Sequence, residues 1–370
     1  MSVTERLGNT TNFHAARVEN VTRRYRLLDV ARELLPDFRV SQCLHVPIPG
    51  QEIGIYKEVE SGHAHQGGVG RCGSVWVCPV CSAKISLGRA AEIEEAVRIA
   101  TEKGWYVVFT TLTSRHDRSD MLADIVKRVK ASLSFMRSSR RAKKIREKYG
   151  FVGRIDASES NWGFSAGWHF HGHDITFYER PPDVETLEDE LYQQWQHALG
   201  KQGLDCDREH GVKVLMGTEH LPGYLTKWGL KNELASREKP GRAESYSPFQ
   251  LLALYDAGES WSGSLFQEYA DATKGVSSLR WSRGLRDVLG MRGEMTDQEL
   301  VEAEESEGSV LLVTLSRDEY QRIIYSGRRG VIGEMLTVAE LGLPELLAWL
   351  SIFGVSPPRD VVENSLHNTS

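Results

Sequence analysis

The sequence predicts an α+β fold: a central antiparallel sheet with flanking helices, an N-terminal zinc-binding module and a mostly helical C-terminal region. Three observations predict it. From residue 84 the periodicity runs helix, strand, helix, strand, turn, strand, helix, strand, helix, which suits an antiparallel sheet with helices packed on it. Residues 41–83 are glycine-rich and hold four of the five cysteines, as a small metal-stapled module would. Beyond about residue 245 helical patterns dominate. The expected segments are 1–83, 84–244 and 245–370.

Taken in order, "YRLLDVARELL" has the apolar spacing of an amphipathic helix closing a helical lead-in. "KISLGRAAEIEEAVRIATEK" is helical and leads into "WYVVFTTLT", whose β-branched and aromatic residues mark a buried strand. "RSDMLADIVKRVKASLSFMRSSRRAKKIREK" reads as a long basic helix or a pair of helices. "GFVGRIDASES" and "GWHFHGHDITF" are strands joined across "NWGFSAG". "LEDELYQQWQHAL" is helical, "HGVKVLM" a short strand, and "LPGYLTKWGLKNELA" a helix opened by Pro and Gly. The tail beyond Pro357 is polar and expected to fray.

Over 370 residues, 40% hydrophobic and 26% charged content are those of a soluble globular protein. No apolar run reaches the roughly 20 residues of a membrane span, and the first residues lack a signal peptide's apolar core. The expectation is a cytoplasmic protein with no membrane partner. The net charge of −6 hides an asymmetry, since Lys84 to Arg154 hold 17 Lys and Arg against 8 Asp and Glu. Local fields govern binding, so an acidic total does not exclude a nucleic-acid partner.

"RCGSVWVCPVCSAKI" contains a Cys-x-x-Cys knuckle, Cys78 and Cys81, with Cys72 six residues earlier. Such a knuckle puts two thiolates on one side of a tetrahedral Zn²⁺. Cys43 competes with His63 and His65 for the fourth position. A closed four-ligand site would be structural.

In "GWHFHGHDITF", His169, His171 and His173 alternate, so in a strand they share one face. Two imidazoles with oxygen ligands suit Mn²⁺, Mg²⁺ or a similar ion and leave positions open for a substrate. Pairing across the turn would bring Glu159 or Asp156 alongside as a third ligand.

"FTTLT", "GWHFHGH" and "GYLTKW" in this order resemble the three motifs of HUH-superfamily rolling-circle replication initiators. With the cysteine module, "DASES", "SPFQLL", "QEYADATKG" and "RWSRGL", the likeness is closest to Rep proteins of actinobacterial plasmids and runs from about residue 40 to 310. In that family the metal pair is His-x-His with an apolar residue two positions on. His171 and His173 with Ile175 fit, although Gly172 stands where a bulky hydrophobe is usual and His169-Phe170-His171 is the literal His-hydrophobe-His string. The resemblance implies Glu159 as third ligand and Tyr224 as nucleophile. Lys227 would neutralise charge developing on the phosphate or lower the phenol pKa, and Glu219 would activate water in the terminating step. The implied activity is site-specific nicking of an origin through a 5′-phosphotyrosyl intermediate. The implied partners are single-stranded or extruded plasmid origin DNA, a host helicase and a single-strand-binding protein.

"RSSRRAKKIREK" beside such a site reads as phosphate contact through Arg140, Arg141, Lys143 and Lys144, and Trp162, Phe164 and Trp168 as base-stacking candidates. Other readings are an HUH relaxase or transposase, an oxidoreductase with a two-His-one-carboxylate site, and a non-catalytic zinc-containing DNA-binding regulator.

Overall fold

The computed structural model describes residues 3–227, 245–302 and 308–355, with side chains from residue 17 in the first range and up to residue 225. The strands are β1 (Ile53–Glu58), β2 (Ala64–Gln66), β3 (Tyr106–Thr113), β4 (Phe151–Gly163), β5 (Gly167–Tyr178), β6 (Val212–Met216), β7 (Ser245–Tyr246), β8 (Leu279–Trp281) and β9 (Ser309–Leu315). The longer helices are α1 (Val3–Leu34), α2 (Pro79–Glu102), α3 (Leu122–Ser138), α4 (Arg140–Tyr149) and α5 (Val184–Gly200). They are followed by α6 (Leu221–Lys227), α7 (Pro248–Asp256) and α8 (Ser260–Thr273), with five further short helices down to Ser351. The fold is α+β, with antiparallel sheets flanked by helices. Among the described residues no helix is long and apolar enough to cross a membrane.

The chain divides into two compact units, Met1–Ser82 with Asp297–Ser370, and Ala83–Thr296. These boundaries differ from the three segments read from sequence, and strand pairing explains why. β9 pairs antiparallel with β1 in the three-stranded sheet β2-β1-β9, drawing the last stretch of chain back to the N-terminal module. β8, a three-residue strand, pairs with β4 instead and holds residues 245–296 to the larger sheet. In the first unit α1 buries Leu27, Leu28, Val30 and Ala31, and the helix over Val331–Ala339 buries Met335, Leu336 and Ala339. A Cβ at Gly333 would come within about 3.1 Å of Thr22 and Tyr25, so glycine sets how closely these helices approach.

The second unit is built on a sheet of order β6-β3-β5-β4-β7, with β8 also on β4. Directly opposed residues of antiparallel strands point to the same face. On one face β3 presents Val107, Phe109, Thr111 and Thr113; β5 presents Phe177, Ile175, His173, His171 and His169; β4 presents Ile155, Ala157, Glu159 and Asn161. β3 and β5 change from apolar to polar at the facing pair Thr111 and His173, and β4 changes one pair further along, between Ala157 and Glu159. The apolar part lies under α2, through Ile93, Ala96, Val97 and Ala100, and under Tyr224 and Leu225 of α6. Phe109, Ile175 and Phe177 are 0% exposed, each contributing about 1.5–3 kcal/mol by burial. The polar part is thereby set on a rigid apolar base.

The opposite face carries Thr110, Leu112, Gly172, Asp174, Thr176 and Tyr178 and is covered by α3, α4 and α5, with α8 packed on α3. At the β4–β5 turn Gly167 has φ +73°, and a Cβ there would meet the Arg118 backbone at 2.8 Å. Only glycine closes this hairpin without displacing that loop.

Candidate active site and cysteine cluster

Hairpin register sets the first site. Glu159 opposes His171, Ala157 opposes His173, and Asn161 opposes His169. On the other side of β5, Thr111 opposes His173 and Thr113 opposes His171. Thr113 Oγ1 lies 3.2 Å from His171 Nδ1 and Thr111 Oγ1 3.3 Å from His173 Nδ1. With each Nδ1 engaged by a threonine, Nε2 is the nitrogen presented toward β4, and His173 Nε2 stands 3.2 Å from Glu159 Oε2. The Asn161 amide donates to Glu159 Oε1 at 2.9 Å. Glu159 thus lies beside the histidines, whereas Asp156 points to the opposite face, where it pairs with Arg137 and Arg280.

Tyr224 enters from α6. Its ring packs on Phe109 with centroids 4.6 Å apart, and its hydroxyl is 3.0 Å from Thr111 Oγ1. A continuous hydrogen-bonded chain therefore runs Tyr224–Thr111–His173–Glu159. Burial raises the phenol to about 12, against a smaller lowering by the Thr111 hydrogen bond. For Glu159, burial acts to raise the carboxyl, but the His173 hydrogen bond, the two imidazoles and Asn161 outweigh it and hold it below the ordinary carboxylate range.

His169 lies beside this chain, its ring centroid 3.7 Å from that of His171. Sequence reading missed the next member: His116, just after β3, stacks on His169 at 4.2 Å. The Nε2 atoms of His116 and His169 are both buried without a partner among the described residues. His116 lies in the polar loop "SRHDRSD", where no periodicity signals which way a side chain points.

Other expected site residues lie elsewhere. Glu219 is exposed on the turn before α6, 3.6 Å from its neighbour His220. Lys227 ends α6, and its side chain lies outside the described residues. Arg140, Arg141, Lys143 and Lys144 are exposed on α4, which packs on the face of the sheet away from the histidines. Trp162 and Trp168 are 7% and 2% exposed core residues, so of the three aromatic stacking candidates only Phe164, at 40%, is accessible.

The second site is the cysteine cluster. Cys43, Cys72, Cys78 and Cys81 are all buried and their sulfurs lie within 4.8 Å of one another. Cys43 Sγ is 3.7 Å from Cys78 Sγ and 3.6 Å from Cys81 Sγ, and Cys72 Sγ is 3.7 Å from Cys81 Sγ. A tetrahedron with Zn–S bonds of about 2.3 Å has edges of about 3.8 Å, so the sulfur spacing fits zinc. Backbone amides of Cys72 and Cys81 point at Cys43 Sγ and Cys78 Sγ at 3.4 and 3.3 Å, as donors that stabilise thiolates. Cys43 completes the set, while His65 stacks on Tyr56 and His63 is exposed.

The fold and its sites define an α+β protein with a buried four-cysteine cluster and a histidine–carboxylate–tyrosine cluster on an antiparallel sheet. The sequence is 28% identical over 317 residues, 66% of this chain and 70% of the relative, to "Protein rep" of Streptomyces lividans. It is also 30% identical over 145 residues, 33% of each chain, to a "Neomycin resistance protein" of Streptomyces cyanogenus. The resemblance to actinobacterial Rep proteins therefore spans about two thirds of the chain. No family profile and no solved structure matches it.

Proposed function

We propose that this chain is a plasmid replication initiator of the HUH type, which nicks one strand of the origin through Tyr224 and later rejoins strands in rolling-circle replication. The observation that carries the reading is the Tyr224–Thr111–His173–Glu159 chain, assembled from three strands and a helix. Similarity to a protein named Rep supports the biological setting.

The donor set of His171, His173 and Glu159 suits a divalent ion such as Mn²⁺ or Mg²⁺, with Thr113 and Thr111 fixing the imidazoles behind it. Such an ion would polarise a non-bridging oxygen of the scissile phosphate. Were His173 Nε2 to hold such an ion, Nδ1 would carry the ring proton and donate to Thr111 Oγ1. The Thr111 hydroxyl is then left to donate to the Tyr224 oxygen, which favours the phenolate over the buried phenol. The Tyr224 phenol loses its proton to water, its oxygen attacks phosphorus, a P–O bond to tyrosine forms, and the P–O3′ bond breaks as the departing 3′ oxygen takes a proton from water to give a 3′-OH. Reversal by an incoming 3′-OH reseals the strand without ATP, because the phosphodiester bond energy is retained.

Lys227 follows Tyr224 by three residues on α6, and we assign it to charge on the transferring phosphate. Glu219, on the turn that leads into this helix, is assigned to water activation in the closing step. The exposed cations of α4 lie behind the sheet, so we assign them to phosphates of flanking duplex rather than to the scissile strand. Phe164, at the hairpin end, remains for stacking an unpaired base. The cysteine cluster holds a structural Zn²⁺. The protein would act in the cytoplasm with a host helicase and single-strand-binding protein.

Incubation with a single-stranded origin oligonucleotide and Mn²⁺ tests this directly. The expected product is a covalent protein–DNA adduct, reduced more than about 10³-fold in Tyr224→Phe. An adduct that forms equally well in that variant would remove Tyr224 from the mechanism.

A further inference from the structure

The face of the sheet opposite the histidines carries a cleft of about 60 Å³, partly open to solvent, between the sheet and helices α3, α4 and α5. None of the nicking chemistry uses it. Thr110, Thr176 and Tyr178 line it and are 5%, 7% and 5% exposed. None of their three hydroxyls makes a hydrogen bond with any described residue. The three hydroxyl oxygens are open to the cleft rather than sealed in the core, so together they offer it three polar groups that no described residue satisfies.

The charge of the cavity identifies the sign of that occupant. Arg137 pairs with Asp174 at 2.6 Å and with Asp156 at 3.4 Å, and Arg154 reaches both carboxylates at 3.6 and 3.4 Å. Arg280 adds a third guanidinium to Asp156 at 3.1 Å. Arg146, which also lines the cavity, has no carboxylate partner among the described residues. Among the lining residues three guanidiniums, Arg137, Arg146 and Arg154, face the one carboxylate of Asp174, with Asp156 behind two of them and Arg280 exposed outside, so the wall of the cleft is net positive. Tyr178 stays a protonated donor, since burial and then Asp174 raise its hydroxyl. Ile145, Leu191 and the Phe151 ring supply an apolar wall, and the Arg146 guanidinium sits 5.9 Å from that ring.

We propose that this cavity is a binding site for a phosphomonoester, with Arg146 and the hydroxyls of Thr110, Thr176 and Tyr178 on the phosphate and the apolar wall against an organic body. An anion matches the positive wall, and hydroxyl and guanidinium donors match phosphate oxygens. β5 carries His171 and His173 on one face and Thr176 and Tyr178 on the other, so the occupant would brace the strand that bears the metal-site histidines.

Calorimetric titration of the full chain with AMP and, separately, with inorganic phosphate tests the site. Saturable binding of AMP at sub-millimolar concentration is expected, weakened about tenfold in both Arg146→Ala and Thr176→Val. Arg146 is half-exposed and unpaired, so its variant should fold, and a retained melting profile confirms that. Equal affinity for inorganic phosphate would support the site with free phosphate as its source. Tyr224→Phe should bind AMP normally, which separates this site from the nicking reaction. Absence of saturable binding to either probe, or binding that both cavity variants leave unchanged, overturns the proposal.

Discussion

The cysteine cluster and the histidine cluster are organised on opposite principles. The four cysteines are buried and near-equidistant, with sulfur separations of 3.6–3.7 Å, and backbone amides support them. The four thiols face one another, a geometry that one tetrahedral ion satisfies completely. The histidine cluster is instead a line of hydrogen bonds in which Thr113 holds His171 while Thr111 and Glu159 hold His173. Glu159 keeps a quarter of its side chain exposed while His173 is buried, so the line is anchored at one end and open at the other. A closed set fixes a fold, whereas an open line can exchange a partner for a substrate.

Removing ligands should show the largest difference between them. In Cys78→Ser/Cys81→Ser, zinc content by elemental analysis should fall from about one ion per chain to none. The unit containing the cysteines should then lose its cooperative melting transition. His171→Ala/His173→Ala should abolish cleavage yet leave a melting transition within a few degrees of the parent. If the histidine variant unfolds and the cysteine variant does not, the structural and catalytic assignments are reversed.

A smaller effect tests the line itself. Thr111→Val keeps the shape of β3 but breaks the link between Tyr224 and His173, and should slow adduct formation about 10–100-fold, as loss of a ligand's supporting partner does. Thr110→Val, one residue away and on the other face, should not change the rate in buffer free of phosphate and phosphomonoesters. Equal rates in the parent and Thr111→Val would mean that the tyrosine is activated without the chain.

How much of this was legible in sequence follows from the range of each signal. Alternation placed His169, His171 and His173 on one face, and a short turn limited their carboxylate partner to Glu159 or Asp156, because those signals are local. Strand phase then decides between the two: Glu159 opposes His171, and Asp156 opposes Asp174 on the other face. Thr111 and Thr113 stood in a quoted motif, yet their role depends on a register between β3 and β5 that no local pattern encodes. The same limit hid β9, whose partner β1 lies some 250 residues earlier, and the "SVLLVTL" alternation was obscured by the acidic run before it. Helical charge in α4 was visible, but not the face of the sheet on which that helix packs.

The smallest predicted effect concerns His169, at the side of the line. His169 is depressed to about 2, first by burial and then by His171 and His116 beside it. An unfolded histidine titrates near 6.5. Below that pH the unfolded chain therefore takes up a proton that folded His169 refuses, and stability is lost as pH falls from about 6.5 toward 2. Between pH 7 and pH 5 this one group should account for up to about 2 kcal/mol of lost stability. His45, lowered to about 4 by burial and Arg32, acts in the same direction, but it is present in both proteins and cancels in a difference. Urea denaturation of the parent and of His169→Gln at the two pH values measures that difference. A shallower loss in the variant is expected. Identical losses would show that His169 already accepts a proton in the folded state, so that the line resembles a charged phosphate cradle more than a set of neutral ligands.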